Sequence, residues 1–476
     1  MQSAVPSTWT PPRLEDYLID AVYGFLPVNP PPLRRLPEYF EPWELLLDDI
    51  SALLLVGALR TRIEKLPVMD TSKLSNLRET QRAYLVLSYL AHGYVWQDKT
   101  NVAQILPKNI AVPWNEVSTN LGHKPVLSYA AVELYNYKLL DPEGPCDLSN
   151  MATLHTFTGG TDESWFFLVS LGMEAVGAHA LPAIVAAQSA IARHDLPVLS
   201  QSLSTIADAI KKMEDVLVRM YEKNDPHIFY YRIRPFVAGW EGSDDLPKGL
   251  FYEGIPDENG SWSTADGSYR KYAGGSAGQS ALIHSIDAAL GIEHFPTRNR
   301  ALMNISSATN SPSASNPALH GSPAVPKPAA GTAEAADAPR KNVMLEMRNY
   351  MPGPHRAFVE AIASGPSIKE FVRTLSDVVK CQPTETSEQM RQVCAEFNVC
   401  VDALKSFRDS HMKMVALYIV SQSRKRTQTQ TDANSPDSRS RQIPNSLAAR
   451  GTGGTNLIPF LKQSRQETVD VRVDLE

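Results

Sequence analysis

Residues 163–193 read ESWFFLVSLGMEAVGAHALPAIVAAQSAIAR, and in a helix this stretch would be apolar on nearly every side. A surface helix keeps one polar face, so a helix that is apolar all round belongs in the interior of a large domain. The segments on either side also have helical spacing. We therefore predict an all-α fold built around residues 163–193.

Helical spacing recurs along most of the remaining chain. Apolar residues three and four positions apart predict two or more antiparallel helices between residues 43 and 94, and another amphipathic helix over residues 203–221. Residues 1–40 are rich in proline and are expected to be extended. No long segment alternates with the period of two that strands require, so we expect at most a short hairpin in the first domain.

Breaks in the helical pattern suggest how the chain is divided. The sequence DPEGPC at 141–146 interrupts a helix, and we expect a small domain of residues 1–150 followed by a large helical domain of residues 151–476. Residues 306–340 are mostly Ala, Ser, Pro, Asn and Gly, cannot offset the entropy of ordering, and are predicted to be a disordered insertion. Residues 421–455 are polar and then glycine-rich, and are predicted to be a mobile loop.

Composition narrows the class of function. The chain has 476 residues and a formal net charge of −6, so it can bury a large core and has no net attraction for nucleic acid. Its four cysteines form no CxxC pair, which is typical of reduced, buried thiols in a cytoplasmic protein. The N-terminus lacks the pattern of a signal peptide, and residues 178–192 are too short to span a bilayer. We expect a soluble monomer without a membrane partner.

His411 is the first candidate for chemistry. It shares one stripe of a predicted helix with the apolar residues Leu404, Phe407, Met414, Val415 and Tyr418. A lone histidine in this position is more often a hydrogen-bonded core residue, but a haem ligand needs the same setting of one imidazole facing an apolar slot. Arg408, one turn earlier, could form a surface ion pair or bind an anion at the rim of the slot. His355 follows two prolines and is interpreted as structural.

Three further segments contain candidate binding residues, each with a simpler alternative. The aromatic run at 164–170, SWFFLVS, could belong only to the core. The segment 225–240, DPHIFYYRIRPFVAGW, could be a helix with a solvated arginine. The loop 273–280, AGGSAGQS, is neither a Walker A motif nor GxGxxG and could be a plain crossing loop.

Taken in chain order, these segments resemble the indoleamine 2,3-dioxygenases. SFRDSH at 406–411 is similar to the proximal-helix motif of that family, and PVLSYAAVEL at 125–134 and GTGGT at 451–455 also match. The resemblance runs from about residue 43 to the C-terminus, apart from residues 300–340. Long low-complexity insertions are familiar in fungal members, so a fungal enzyme is expected.

The resemblance implies haem b, held between the small and the large domain. His411 would be the iron ligand, and Arg408 would bind a haem propionate while Asp287 braces it. Ser276 and Ala277 would lie at the haem edge. The implied reaction inserts both atoms of O2 across the indole C2–C3 bond of L-tryptophan and gives N-formylkynurenine, the first product of the kynurenine pathway.

The resemblance also implies how the substrate is held. Phe166 would stack on the indole, and Ser170 would lie near the oxygen site. Phe229 and Tyr230 would form the opposite wall. Arg234 would pair with the substrate carboxylate, a role that suits the planar fork of a guanidinium.

Contacts around the rest of the substrate follow from the same resemblance. Tyr129 and Val132 would cap the distal side of the pocket. Gly275 and Ala277 would bring their backbone near the substrate ammonium group, and Thr452 would face the substrate from a lid that excludes water.

Two positions depart from the family pattern. Tyr230 stands where the family usually has Phe, and Glu133 stands where it has an apolar residue, so Glu133 could point outward or make the pocket wetter. A haem- or tryptophan-binding protein with little turnover is therefore an alternative, as is a helical interaction protein without haem. Phe166, Arg234 and Ser276 favour catalysis.

Overall fold

The computed structural model describes residues 9–296, 342–381, 385–424, 451–452 and 457–475. Helices predominate there, as predicted. The α-helices are α1 Glu41–Asp48, α2 Ile50–Leu55, α3 Leu59–Ile63, α4 Leu77–Trp96, α5 Lys108–Leu121, α6 Thr161–Gly177, α7 Ala180–Arg193, α8 Leu196–Val218, α9 Met220–Lys223, α10 Pro226–Ile228, α11 Arg234–Val237, α12 Ala281–Ala289, α13 Val343–Met347, α14 Gly353–Ser364, α15 Ile368–Cys381, α16 Glu385–Val415 and α17 Leu457–Val469. The predicted insertion at 306–340 and most of the predicted mobile loop at 421–455 lie outside the described residues.

Shorter helical turns connect these elements. The 3₁₀ turns are Leu14–Tyr17, Glu38–Phe40, Thr71–Lys73, Ala277–Gln279 and Arg348–Tyr350. The π-helical turns are Ala130–Leu134, Phe229–Ile233 and Ala416–Val420. Single π turns often mark functional sites, because the extra residue in the turn redirects the side chains that follow.

Within the described residues, five short strands form two small sheets. In the first, β1 (Ile105–Leu106) runs parallel to β4 (Leu250–Glu253), which pairs antiparallel with β5 (Gly267–Arg270). In the second, β2 (Tyr137–Leu139) pairs antiparallel with β3 (Met151–Thr153). The predicted boundary near residue 150 falls in the connection between β2 and β3. The division into two domains stays a prediction.

The apolar segment quoted first forms the centre of the large helical part. It folds into α6 and α7, and both pack on α8, which also packs along the long helix α16. By length and composition Thr161–Arg193 could cross a membrane, but 67% of its most apolar part is buried inside the protein. The prediction of a central buried helix is confirmed, with the correction that α6 and α7 are separate helices.

The N-terminal helices pack around α4. Asn76 caps α4 by accepting a hydrogen bond from the Glu79 backbone N–H (3.1 Å), and the Glu79 carboxylate accepts one from the Ser75 backbone N–H (2.7 Å). In the core, Arg82 on α4 forms a buried ion pair with Glu44 on α1 at 2.6 Å. The cap fixes where α4 begins, and the ion pair fixes α1 against α4.

Candidate functional site

A cavity of about 260 Å³, counted as space open to the centre of a water molecule, lies between α6, α16 and the loop before α12. That volume exceeds the space for one water by more than an order of magnitude, so the cavity can hold a large ligand. Most of its wall is apolar. Methionines are frequent in it: Met173, Met213, Met220, Met344, Met347 and Met414. Their flexible side chains suit a wall that must adapt to what it binds.

His411 faces this cavity from α16. Burial, with a smaller contribution from the charge of Arg408, lowers the pKa of His411 to about 4, so its imidazole is neutral at pH 7. Among the described residues no group of three or more His, Cys, Asp or Glu side chains could hold a metal ion. A metal at His411 would therefore need its other ligands from a prosthetic group.

Arg408 lies at the edge of the cavity and is held by one acidic side chain and by a hydroxyl group. Its Nη2 donates to both Asp287 carboxylate oxygens at 2.7 Å, and its Nη1 donates to the hydroxyl of Thr468. Asp287 also contacts His294 Nε2 at 3.0 Å. Burial would raise the pKa of Asp287, but the charge of Arg408 and the hydrogen bond from His294 hold it well below its usual value. The structure thus contains the predicted Asp287–Arg408 contact.

Aromatic rings form one wall. The ring centroids of Phe166 on α6 and Phe229 on a π turn are 4.7 Å apart, with the planes tilted by 45°. Phe229 also contacts Tyr418 edge-on, at 5.7 Å between centroids. The two predicted stacking residues therefore meet, although they are 63 positions apart in the chain.

Arg234 also lines the cavity and is fully buried. Burial lowers its pKa to about 10, so the guanidinium still carries a positive charge at pH 7. Its guanidinium carbon lies 5.4 Å from the centroid of the Tyr230 ring. A buried positive charge in a cavity wall suits an anionic group of a ligand.

The glycine-rich loop passes close to another backbone segment. A Cβ on Gly274 would lie 2.2 Å from the Gly239 backbone nitrogen, so neither position has room for a side chain. Thr452 secures the loop, because its hydroxyl donates to the Gly275 carbonyl (2.6 Å) and its own carbonyl accepts from the Gly274 N–H (3.1 Å). The side chain of Ser276 accepts a hydrogen bond from the Gly278 N–H at 3.2 Å.

Two buried carboxyl groups, those of Glu133 and Glu174, line one end of the cavity. Glu174 accepts hydrogen bonds from the Tyr129 hydroxyl (3.0 Å) and the Ser280 hydroxyl (2.6 Å). Burial raises the pKa of Glu174 to about 7, and it raises the pKa of Glu133 well above its usual value. Glu133 lines the cavity and is only 3% exposed, so it does not point outward, which was one of the two possibilities left open by the sequence.

Twelve of the fourteen site residues predicted from the sequence line this one cavity. They are Tyr129, Val132, Phe166, Ser170, Phe229, Arg234, Gly275, Ser276, Ala277, Arg408, His411 and Thr452. Asp287 lies behind Arg408. Tyr230 was expected to wall the substrate but is fully buried behind the cavity surface, next to Arg234. His355 lies elsewhere, with its ring 4.6 Å from that of Phe25.

Sequence reasoning missed Glu174 and Ser280. Glu174 lies one helical turn beyond Ser170 and two beyond Phe166 on α6, so its spacing was a signal that was available. Ser280 directly follows the glycine-rich loop, and nothing in the sequence indicated its contact with Glu174. All four cysteines are free, but the expectation that they are buried holds only for Cys394 and Cys400, since Cys146 is half-buried and Cys381 is exposed.

Comparison with known proteins agrees with this geometry. A family model described as indoleamine 2,3-dioxygenase matches residues 13–471. Indoleamine 2,3-dioxygenase 1 of Mus musculus is 34% identical over 96% of this chain and 94% of its own length. Indoleamine 2,3-dioxygenase of Saccharomyces cerevisiae is 33% identical (96% and 93%), and indoleamine 2,3-dioxygenase nanC of Aspergillus nanangensis is 32% identical (96% and 96%). Fungal proteins are thus among the relatives, as the insertion suggested. The chain belongs to the indoleamine 2,3-dioxygenase family and is an oxidoreductase of the dioxygenase class.

Proposed function

We propose that this enzyme uses haem b to add both atoms of O2 across the indole C2–C3 bond of L-tryptophan, giving N-formylkynurenine. The observation that carries the proposal is one cavity with a neutral imidazole, His411, on one side and a buried guanidinium, Arg234, on another. The first suits the iron of a prosthetic group, and the second suits an amino-acid carboxylate.

The residues present fit haem b. A macrocycle supplies four nitrogen ligands of its own, so a single neutral imidazole in an apolar cavity is a sufficient protein ligand. Arg408 would face a propionate, because a guanidinium has five N–H donors and the contacts with Asp287 and Thr468 do not use all of them. When bound, haem would supply the redox-active iron at which O2 reacts.

The protein side chains would bind and orient the substrate. Arg234 would hold the carboxylate by a bidentate charge-assisted pair, while Phe166 and Phe229 would fix the plane of the indole. Holding reactants at close range in one orientation is a large part of catalysis for a reaction that needs little acid or base. Both oxygen atoms end in the product, so no separate reductant is consumed in each turnover.

Exclusion of water would come from two sides of the cavity. Tyr129 and Val132, in the part of the chain before residue 150, lie over the distal side, and we propose that this small domain caps the pocket. Thr452 closes on the glycine-rich loop from another side through its contacts with Gly274 and Gly275. A dry cavity strengthens the interaction of Arg234 with a carboxylate.

The test is direct. The haem-loaded protein is reduced without oxygen, tryptophan is then added in air, and N-formylkynurenine is measured by absorbance and mass. Formation of one product per O2 consumed is expected. Haem and tryptophan binding without product would favour the alternative of a binding protein with little turnover, and failure to bind haem would overturn the proposal.

A further inference from the structure

The cavity has a polar end that the proposed reaction does not use. Glu133, on the π turn Ala130–Leu134, and Glu174, on α6, both line it and are only 3% and 2% exposed. On each side chain the Oε2 atom has no hydrogen-bond partner in the described protein. Buried polar atoms are nearly always hydrogen-bonded, so two such oxygens in one cavity wall indicate a missing polar partner.

The two carboxyl groups are held differently. Glu174 Oε1 is fixed by the hydroxyls of Tyr129 and Ser280, and only Oε2 is left for a ligand. The hydroxyl of Ser170, which donates to the Phe166 carbonyl at 3.3 Å, is close enough to Glu133 to offset part of the effect of burial on its pKa. The polar end is therefore a built arrangement of two acids and their hydroxyl neighbours.

Protonation makes the pair suitable for a neutral polar group. Burial, followed by the charge of Glu174, keeps the pKa of Glu133 well above its usual value, which favours the protonated form of its carboxyl. A protonated carboxyl both donates and accepts hydrogen bonds, and Glu174 Oε2 accepts one. A hydroxyl group, which also donates and accepts, matches both.

The polar end and the aromatic wall of the cavity are connected by residues of the same helix, α6. Phe166, Ser170 and Glu174 follow one another on successive turns of α6, so Phe166 and Glu174 are separated by about 12 Å along the helix axis, at 1.5 Å per residue. Phe166 and Phe229 are in contact with each other, at 4.7 Å between centroids, so a ligand ring would stack against their shared surface, beside the first of these turns. The part of such a ligand that can reach the polar end is a substituent on its ring system.

We infer that Glu133 is a specificity-determining residue: with Glu174 and Ser170 it forms a subsite for a hydroxyl group on the ring system of the aromatic substrate. The inference rests on the proposed function, because it names a substrate class for the same cavity. It goes beyond that function in assigning a preference among ring-substituted tryptophans.

The experiment compares tryptophan, ring-hydroxylated tryptophans and ring-methylated tryptophans of matched position. Equilibrium binding is measured on the haem-loaded protein without oxygen, and kcat/KM is measured in air. The wild-type chain should prefer at least one hydroxylated isomer over its methylated counterpart by about tenfold or more, because the methyl group leaves the buried oxygens without a partner.

Variants locate the effect. Glu133→Met has similar length and no polar atom, so the ratio of kcat/KM for the hydroxylated over the methylated substrate should fall by about tenfold. Glu133→Gln can still donate and accept and should keep most of the preference. Glu163→Gln is the matched control, since Glu163 is a buried acid of α6 that bonds the Phe157 and Thr158 backbone outside the cavity wall. It should leave the ratio unchanged.

The results of these experiments distinguish failure of the hydroxyl subsite from failure of the proposed function. A wild-type protein that turns over tryptophan but shows no hydroxyl preference overturns the inference alone, as does a preference that Glu133→Met retains. If no tryptophan is oxidised but the binding preference is present and lost in Glu133→Met, the proposed function fails and the subsite stands. Equal binding of hydroxylated and methylated ligands would mean that water occupies this end of the cavity, which also overturns the inference.

Discussion

His294 should make the stability of the folded protein depend on pH between neutral and alkaline conditions. Its Nδ1 lies 2.6 Å from Glu467 on α17, and its Nε2 lies 3.0 Å from Asp287 on α12. Burial alone would lower the pKa of His294, but these two carboxylates outweigh it and raise the pKa to about 9. A charged imidazole thus connects the C-terminal helix to the acid that holds Arg408.

The direction and the size of this pH effect on stability follow from the pKa of His294. Because the folded value of about 9 lies above the reference value of 6.5, the stabilisation is fully present below pH 6.5 and is lost as pH rises through 9. The difference is about 2.5 units, and at 1.36 kcal/mol per unit it corresponds to roughly 3 kcal/mol. That is a large share of the stability of a typical domain.

The assay is urea unfolding of the wild-type chain and of His294→Gln at pH 6, 7, 8 and 9.5, with the dependence on urea checked for constancy. The wild type should be more stable than the variant at pH 6, and most of that advantage should be gone at pH 9.5. His179→Gln, at an exposed histidine between α6 and α7, is the control and should follow the wild-type profile. Parallel profiles for the wild type and His294→Gln would refute the reasoning.

Three other substitutions or deletions test the site and the chain organisation. His411→Ala should abolish haem binding, measured by the Soret absorbance, whereas His355→Ala should retain it; an unchanged spectrum in His411→Ala would reject the ligand assignment. Arg234→Ala should raise KM for tryptophan by roughly 10- to 150-fold at constant haem content, since a charge-assisted pair contributes about 1.5–3 kcal/mol; an unchanged KM would place the carboxylate elsewhere. Replacing residues 306–340 by a short Gly/Ser bridge should leave haem content, thermal midpoint and product formation unaltered, because the segment lacks the apolar residues of a core; a loss of any of these would mean that it packs on the large domain.

The helices could be predicted because their signal is local. The segment that forms α6 and α7 is apolar on all sides, and that property alone places it in the interior. The stripe containing His411 likewise fixes which side of α16 is buried, whatever the helix packs against. Resemblance to known sequences then indicated which separated motifs come together in the fold. The cavity contains residues from all of these motifs.

A short hairpin was expected in the first domain, and the antiparallel pair β2–β3 lies at its end, but the three-stranded sheet could not be predicted because its signal is neither long nor local. β1 has two residues, too few to show alternation, and its partner β4 lies about 145 positions away. β4 and β5 have four residues each, and their pairing depends on the turn between them and on α5 packing against β4. Contacts of this kind are determined by tertiary packing and not by the pattern of one segment.

The orientation of Tyr230, at the site itself, likewise could not be predicted from the sequence pattern. Phe229 and Tyr230 are neighbours, and both were expected to face the substrate, but adjacent residues of a helix point about 100° apart. The π turn Phe229–Ile233 turns Phe229 toward the cavity and leaves Tyr230 behind it, against Arg234. The local backbone conformation buries the Tyr230 ring beside the Arg234 guanidinium. Residue propensities do not encode that conformation.

The three π turns show that this limit on predicting side-chain orientation affects residues of the candidate site. Each contributes side chains to the same cavity: Glu133 from the first, Phe229 from the second and Tyr418 from the third. A π turn contains one more residue than an α turn, so it rotates everything that follows by about 100° relative to an uninterrupted helix. Arg234 directly follows the second π turn, and without the extra residue its side chain would leave a different face of the segment. The position of the Arg234 guanidinium, which we propose to bind the substrate, therefore depends on an irregular turn. For this reason the motif alone could identify Arg234 but could not predict where its side chain points.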